Sequence, residues 1–410
     1  MTGDHLTPRM IISANYQKKK KKPRFRYDIY RFLLQLHQLD SKLDSSTRPF
    51  KQASIKMDYS PFTLRPKSHY FFSSPLAALI YPLHNVLLRL RAQPAATAVA
   101  TEKKSSLRVV CISDTHSLQY PHVPDGDLLI HAGDMCNNGS LAEIQAAVDW
   151  LKELPHAQKV VIAGNHDGFF DPKVPSPRGI EEVAGRKNKI NALNWGDNIH
   201  YLQHSSITLN FFKFCRSITI YGAPDIPAIV PFGPEHAFVY PPNQDVWSGS
   251  VSFPHRNIAT ATSDKKIDIL VTHTPPLGHL DLSPVYSTGC PYLLAEAWRV
   301  RPKLHVFGHV HAAYGAEPVF WDNAQRAWER LCARRRSRAA AAGLSGTVLG
   351  VLRDLVDLPA WIDALRVLVY GVWGVLTSRS RRDGNGWMVN AACMFRDSGQ
   401  LRNPPQVFDI

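Results

Sequence analysis

The sequence predicts an α/β protein whose strands are covered on both faces, and three observations carry that reading. From Arg108 onward the chain is built of short, wholly apolar, β-rich runs. Each run ends in a turn containing Gly or Asn and is often followed by a helical stretch, the pattern of strands joined by helices. Polar residues gather at the run ends, and in such sheets ligands bind just beyond the strand ends.

Taken in order, residues 1–72 mix charge, Ser, Pro and aromatics without sustained periodicity, which predicts disorder apart from a helical stretch over Tyr27–Leu43. Residues 74–91, SPLAALIYPLHNVLLRLR, predict a helix with Ser74 as N-cap, Pro75 at the first position and arginines in the last turn, kinked at Pro82. A flexible linker follows over Ala92–Ser106. The strand runs are RVVCISD (108–114), DLLIHAGD (127–134), KVVIAGNHD (159–167), ITIYGAP (218–224), DILVTH (268–273), LHVFGHVH (304–311), GWMVNAA (386–392) and QVFDI (406–410). Residues 321–384 interrupt them with an Arg-rich helix and a second, apolar one. The domains expected are therefore a basic extension (1–106), an α/β domain (107–320 with 385–410) and a helical insertion (321–384).

At 410 residues and 44% hydrophobic content the chain can bury a substantial core. Its formal charge of +14 is uneven: residues 1–104 contribute +13 and residues 321–384 contribute +5, leaving the remainder at −4. Basicity thus belongs to the appendages. Six cysteines are scattered without a CxxC pair, which excludes a zinc ribbon or dense disulfide framework and fits a reducing compartment. The first 22 residues are polar and end in Lys18–Lys22, so an intracellular, cytoplasmic location is expected, with nuclear or peripheral membrane association compatible with the basic segments. In the apolar helix of the insertion, Asp363 and Arg366 leave only about ten uninterrupted apolar residues, short of the roughly 20 a span requires. Packing on the domain or on helix 74–91 is the favoured reading; contact with an anionic membrane is the other. No element reads a nucleic-acid base, so no specific nucleic-acid partner is expected.

The chemistry lies at the strand ends, where Asp114, His116, Asp134, Asn165, His166, His273, His309 and His311 collect. Any one of them has a structural explanation: Asp114 as a helix cap, Asn165 as a turn residue, a histidine as a satisfied core group. Five strand ends departing from apolar character together do not. Carboxylate, carboxamide and imidazole without thiolate suit Mn, Fe, Mg or Zn, and the number of ligands suits two ions about 3.5–4 Å apart sharing a carboxylate. The spacing of Asp114 and His116 is two, which on an extended strand points both side chains to one side. In GNHD, Gly164 and Gly168 are expected to supply a tight turn.

DTH, GD, GNHD, TH and GHVH, in this order, resemble the signature of the calcineurin-like metallophosphoesterase superfamily. DILVTHTPP, RPKLHVFGHVHAAYG and MVNAA resemble its metallophosphoesterase-domain-containing branch. The resemblance covers residues 107–320 and 385–410 and implies a four-layer α/β/β/α sandwich carrying a helical insertion. It further implies that Asp114, His116 and His311 hold one metal ion, that Asn165, His273 and His309 hold a second, and that Asp134 bridges them. A bridging hydroxide would then attack phosphorus in line. His166 is left as proton donor to the leaving oxygen, with Asp167 either orienting that imidazole or anchoring the loop.

GNHD replaces the GNHE of the superfamily's Ser/Thr protein phosphatases, and GDMCNNG and GNHDGFF lack their arginine-bearing elements. The intact GHVH predicts an active enzyme, a metal-dependent phosphoric ester hydrolase. A phosphodiesterase acting on a small phosphoester, a nucleotide ester being one candidate, is what the branch suggests. The alternatives are a phosphomonoesterase, or a scaffold acting through its basic tail and insertion. Asn137, Asn138, His279 and Tyr314 stand near the inferred site as substrate contacts, or as turn and packing residues.

Overall fold

The computed structural model describes residues 74–92, 106–174, 190–228, 237–242, 244–248, 266–282, 288–342, 352, 354–377 and 385–410. The disorder expected for residues 1–72, the Tyr27–Leu43 helix and nearly all of the linker lie outside them.

Two mixed sheets form the centre of the fold. The first has the order β13-β1-β2-β3-β4, from β1 (Arg108–Ile112), β2 (Leu128–His131), β3 (Gln158–Val161), β4 (Ile199–Tyr201) and β13 (Gln406–Asp409). β1 to β4 run parallel and β13 closes the edge antiparallel to β1. The second has the order β11-β12-β10-β9-β6-β5, from β5 (Ser205–Phe211), β6 (Arg216–Ala223), β9 (Ile269–Thr272), β10 (Leu304–Phe307), β11 (Gly315–Phe320) and β12 (Asn385–Asn390). A short parallel pair, β7 (Ile226–Pro227) and β8 (Val239–Tyr240), stands apart.

Alternation along each strand explains the layering. Val109 and Cys111 of β1, with Leu128 and Ile130 of β2, meet Ile220, Ile269, Val271 and Val306 of the second sheet in one buried cluster. On the outer face of the first sheet, Val110, Ile112 and Leu129 pack on Ile144, Val148 and Leu151 of α2 (Leu141–Glu153). Beyond the second sheet, Tyr221 and Leu270 pack on Leu293 of α3 (Pro291–Val300). The layers are thus α/β/β/α, as the resemblance implied, and each fully buried aliphatic side chain contributes about 1.5–3 kcal/mol. Ser140 and Glu143 start α2 with reciprocal side chain to backbone bonds, a capping box worth about 1 kcal/mol.

All eight strand runs appear as strands; β4, β5, β11 and the short pair β7 and β8 are additions. β5 is half-exposed and alternates, and β11 carries Pro318 where an outer strand tolerates a missing donor.

Helix α1 (Pro75–Ala92) packs with α4 (Asn323–Ala342) and α5 (Leu358–Thr377) around Leu76, Ile80, Trp328, Leu331, Ala364 and Val367. The insertion is therefore packed on helix 74–91, and one further residue decides its docking. Asp354, just before α5, accepts from the Ser74 hydroxyl and from the Leu76 amide at 3.2 Å, so the N-terminus of α1 is held from the insertion and not by Ser74 alone. Asp363 is buried beneath Arg330, Arg334 and Arg366. Arg91 pairs with Asp322 and lies over the Phe320 ring at 3.9 Å, tying α1 to the end of β11.

Candidate metal centre and active site

The cluster forms where the parallel strands end. Asp114 follows β1, Asp134 follows β2, Asn165 follows β3, His273 follows β9, and His309 and His311 follow β10. Asp114, His116, Asp134 and His309 adopt left-handed backbone (φ 53°, 48°, 54° and 66°). Such conformations cost about 1–3 kcal/mol each and persist where surrounding structure dictates them. The shared direction of Asp114 and His116 therefore comes from a turn beyond β1, and not from the strand pleat the spacing suggested.

The side chains meet in two sets. In one, Nε2 of His116 and Nε2 of His311 are 3.2 Å apart, and Nε2 of His311 is 3.2 Å from Oδ1 of Asp114. In the other, Oδ1 of Asn165 is 2.9 Å from Nδ1 of His309 and 3.2 Å from Nε2 of His273. Asp134 joins them: its Oδ2 is 3.2 Å from Nε2 of His273 and 3.8 Å from Nε2 of His116. All seven residues assigned to metal by the resemblance are brought together.

The donor set fits metal ions. Nδ1 of His273 lies 2.8 Å from the Ala132 carbonyl and Nδ1 of His311 lies 2.8 Å from the Arg396 carbonyl. A carbonyl oxygen only accepts, so in both rings Nδ1 carries a proton and Nε2 is the nitrogen that faces the cluster, the outer-sphere arrangement that orients metal-binding histidines. Asp114 and Asp134 are both almost fully buried, a costly state for two carboxylates without cations. Without metal, the histidines take that part. Burial opposes ionisation of Asp134, but the charge and hydrogen bond of His273 outweigh it and hold the carboxyl well below its ordinary range. In return, burial works against the His273 imidazolium while Asp134 and Asp114 hold its pKa up at about 9. Burial and the charge of His273 push His309 down to about 3, leaving it a neutral donor.

Close approach explains two of the glycines. A Cβ on Gly164 would overlap the Asp134 carboxylate and the His273 ring, and one on Gly308 would overlap the side chains of Asp114 and Ser113. Gly164 and Gly168 do not adopt positive φ. The tight turn expected there does form, with the Asp167 amide donating to the Gly164 carbonyl at 3.2 Å, but neither glycine supplies it through positive φ; what requires glycine at 164 is the close approach of two ligand-bearing loops.

His166 sits at the rim, half-buried, edge-on to His116 with ring centroids 4.8 Å apart, and near enough to His116 and Asp134 to share a cation with them. Its Nδ1 donates to the Asn137 carbonyl at 2.8 Å, and its backbone amide donates to Oδ1 of Asp134 at 2.8 Å. Asp167 is a loop anchor. Its carboxylate, fully buried, accepts from the amides of Gly164 (2.8 Å), Met135 (3.2 Å) and Cys136 (3.1 Å) and from the Cys136 thiol (3.0 Å), stapling the loop after β2 to the loop after β3. Burial first, and then the charge of Asp134, raise its pKa to about 6. The orienting role weighed for it passes to Asn137.

The four substrate-contact candidates are engaged within the fold. Asn137 donates its side-chain amide to the His116 carbonyl at 3.0 Å, and Asn138 donates to Glu143 at 3.1 Å. Tyr314 donates to the Pro404 carbonyl at 2.8 Å. His279 is buried with Nδ1 2.6 Å from Glu317 and Nε2 3.2 Å from Glu329. Both its nitrogens are committed, so it is an ion-pair bridge from β11 to α4 and leaves the substrate list. Sequence reasoning missed the carbonyls of Ala132, Asn137 and Arg396, which carry no residue identity. It also missed Asn390 of MVNAA, whose amide donates to Val310 at 2.9 Å and Leu280 at 3.1 Å and so braces the GHVH loop.

A family profile described as calcineurin-like phosphoesterase matches residues 107–313 of this chain. The chain belongs to that family. Similar proteins include the human metallophosphoesterase domain-containing protein 1, 37% identical over 220 residues, which are 51% of this chain and 61% of that one. The UPF0046 protein C25E10.12 of Caenorhabditis elegans is 36% identical over 222 residues, 52% of this chain and 71% of that one. A protein of Emericella nidulans named probable rhamnogalacturonate lyase C is 37% identical over 240 residues, 57% of this chain but 20% of that protein. The chain thus spans about a fifth of the fungal relative and three fifths of the human one. All seven residues of the candidate metal site and strands β1 to β10 fall inside the matched segment; β11, β12 and β13, which complete the two sheets, follow it.

Proposed function

We propose that this calcineurin-like chain is a metal-dependent phosphoester hydrolase acting on a small phosphodiester, a nucleotide ester among the candidates. The observation that carries the proposal is the pair of ligand sets meeting across Asp134, with His166 at their rim. Asp114, His116 and His311 would hold one divalent cation, Asn165, His273 and His309 a second, and Asp134 both. When bound, such ions neutralise phosphate oxygens and lower the pKa of water. The chain's own part is positioning and proton transfer. With Nδ1–H held by the Asn137 carbonyl, His166 in its imidazolium form carries the second proton on Nε2 and can give it to the departing oxygen, a contribution of about 10²–10⁴ in rate.

The diester preference is supported by charge. The loops DMCNNG and GNHDGFF contain neither Lys nor Arg, so the second negative charge of a monoester has no side-chain cation from them to meet it. The test is hydrolysis of bis(p-nitrophenyl) phosphate against p-nitrophenyl phosphate by the Mn-loaded protein. Faster turnover of the diester, lost in His166→Ala, is expected. Turnover of the monoester alone would make the chain a monoesterase, and hydrolysis of neither by metal-replete protein would remove the enzymatic reading.

A further inference from the structure

Most of the exposed large apolar side chains among the described residues sit on α1, α5 and the short helical stretch leading into α5. Their arrangement is regular. Along α5, Leu358, Ile362, Leu365, Val369, Trp373 and Leu376 recur at i, i+4, i+7, i+11, i+15 and i+18, one continuous helix face, and are 40–73% exposed. The opposite face, through Ala360, Asp363, Ala364, Val367 and Gly371, is buried against the neighbouring helices. On α1, Leu79, Leu83, Val86 and Leu90 make a second exposed stripe at i, i+4, i+7 and i+11. The helices lie side by side, with Gly371 against Leu87 and Gly374 against Arg91. A helix whose solvent side is as apolar as its core side needs a partner beyond the fold.

We propose that this face lies in the interfacial plane of a bilayer bearing anionic headgroups. Charge selects that occupant. Arg89 and Arg366 are exposed beside the apolar stripes, Arg379, Arg381 and Arg382 follow α5 in sequence, and the chain upstream carries Lys18–Lys22. A second copy of this face, or the basic N-terminal segment, would bring like charge to like charge. An anionic leaflet supplies the complement, each nearby Lys or Arg adding attraction. Trp361, Trp373 and Tyr370, exposed on α5, are the amphipathic aromatics that settle at headgroup depth. The helix meets the length and hydropathy of a membrane span, yet a third of its most apolar window is buried in protein and Asp363 points inward to arginines. Lipid therefore contacts one side only, which fits a helix in the membrane plane.

The test is co-sedimentation of the full-length protein with phosphatidylcholine vesicles and with vesicles that also contain phosphatidylserine. Binding to the anionic vesicles, weakened by added salt, is expected, together with a fall of about tenfold or more in Leu365→Glu/Val369→Glu. The control Phe212→Glu/Lys213→Ala lowers the net charge equally at another exposed site and should bind as the wild type does. Thermal melting monitored by circular dichroism checks that both variants fold. Failure to sediment with anionic vesicles overturns the proposal, as does undiminished binding of Leu365→Glu/Val369→Glu. A wild-type dimer that this variant abolishes, without vesicle binding, would assign the face to a second copy instead.

Discussion

His166 donates its Nδ1 proton to the backbone carbonyl of Asn137, 2.8 Å away, while the carboxylate of Asp167, next to it in the chain, turns inward to three backbone amides and a thiol. Adjacent residues thus do separate jobs. His166→Ala should lower kcat about 10²–10⁴-fold with the metal content unchanged. Asp167→Asn should instead cost about 1–3 kcal/mol of stability, because an amide group now faces backbone donors. Metal analysis, thermal melts and pH profiles of both variants separate these outcomes. A shifted kcat–pH profile in Asp167→Asn at unchanged stability would return Asp167 to the catalytic role.

Asn165 tests whether the site is dinuclear. Its Oδ1 meets His309 and His273, and the set Asp114, His116 and His311 is complete without it. Asn165→Ala should therefore reduce the metal content from about two ions per chain to about one, with most of the activity lost. Elemental analysis after loading reads this directly, and two ions retained by the variant would contradict the assignment.

Gly164 and Gly308 should not tolerate a methyl group. A Cβ at either position falls on the side chain of Asp134 or of Asp114, whereas at Gly168 it meets only the side chain of Val174, at 3.3 Å and above. Gly164→Ala and Gly308→Ala are expected to lower metal affinity by at least tenfold and to destabilise the fold by about 1–3 kcal/mol, the usual cost of overpacking. Gly168→Ala should remain near wild type. Titration with Mn and thermal melting provide the comparison.

Metal binding should release protons. In the metal-free protein Asp134 holds the pKa of His273 at about 9, so this ring is protonated at neutral pH, and a cation must displace that proton to reach Nε2. Affinity is expected to rise with pH until about 9 and then level. For stability of the metal-free chain the sign is opposite. A folded pKa raised above the unfolded value of 6.5 stabilises fully below about 6.5, and the contribution is lost as pH rises through about 9. Calorimetry in buffers of different ionisation enthalpy measures the first effect, and metal-free melts across that range the second.

Removing His279 should loosen the insertion. This buried imidazolium joins Glu317 on β11 to Glu329 on α4, and although burial works against its charge, bonds to both carboxylates raise its pKa to about 10. Truncation leaves two carboxylates facing each other, so His279→Ala should cost about 3–5 kcal/mol, the range for breaking a buried pair. Faster proteolysis within residues 321–384, with phosphoester hydrolysis retained, is the expected readout.

The strands and the seven residues at their ends were legible in the sequence because both are written in side-chain identity. An apolar run bounded by Gly and Asn reads as a buried strand, and RVVCISD, DLLIHAGD and KVVIAGNHD became β1, β2 and β3 side by side. Which residues hold the active residues in place was decided only by the tertiary structure. The carbonyls of Ala132, Asn137 and Arg396 fix three imidazoles, and a carbonyl is the same group in every residue. Arg396 reaches His311 across 85 positions, and His279 reaches Glu329 across 50. Nothing local encodes those distances. The GNH triplet makes the contrast within three residues: Asn165 and His166 could be named from their chemistry, but the need for Gly164 arises from the Asp134 carboxylate and the His273 ring arriving from two other strands. Local chemistry proposes a group's role, and the packing of distant segments decides which role it can keep.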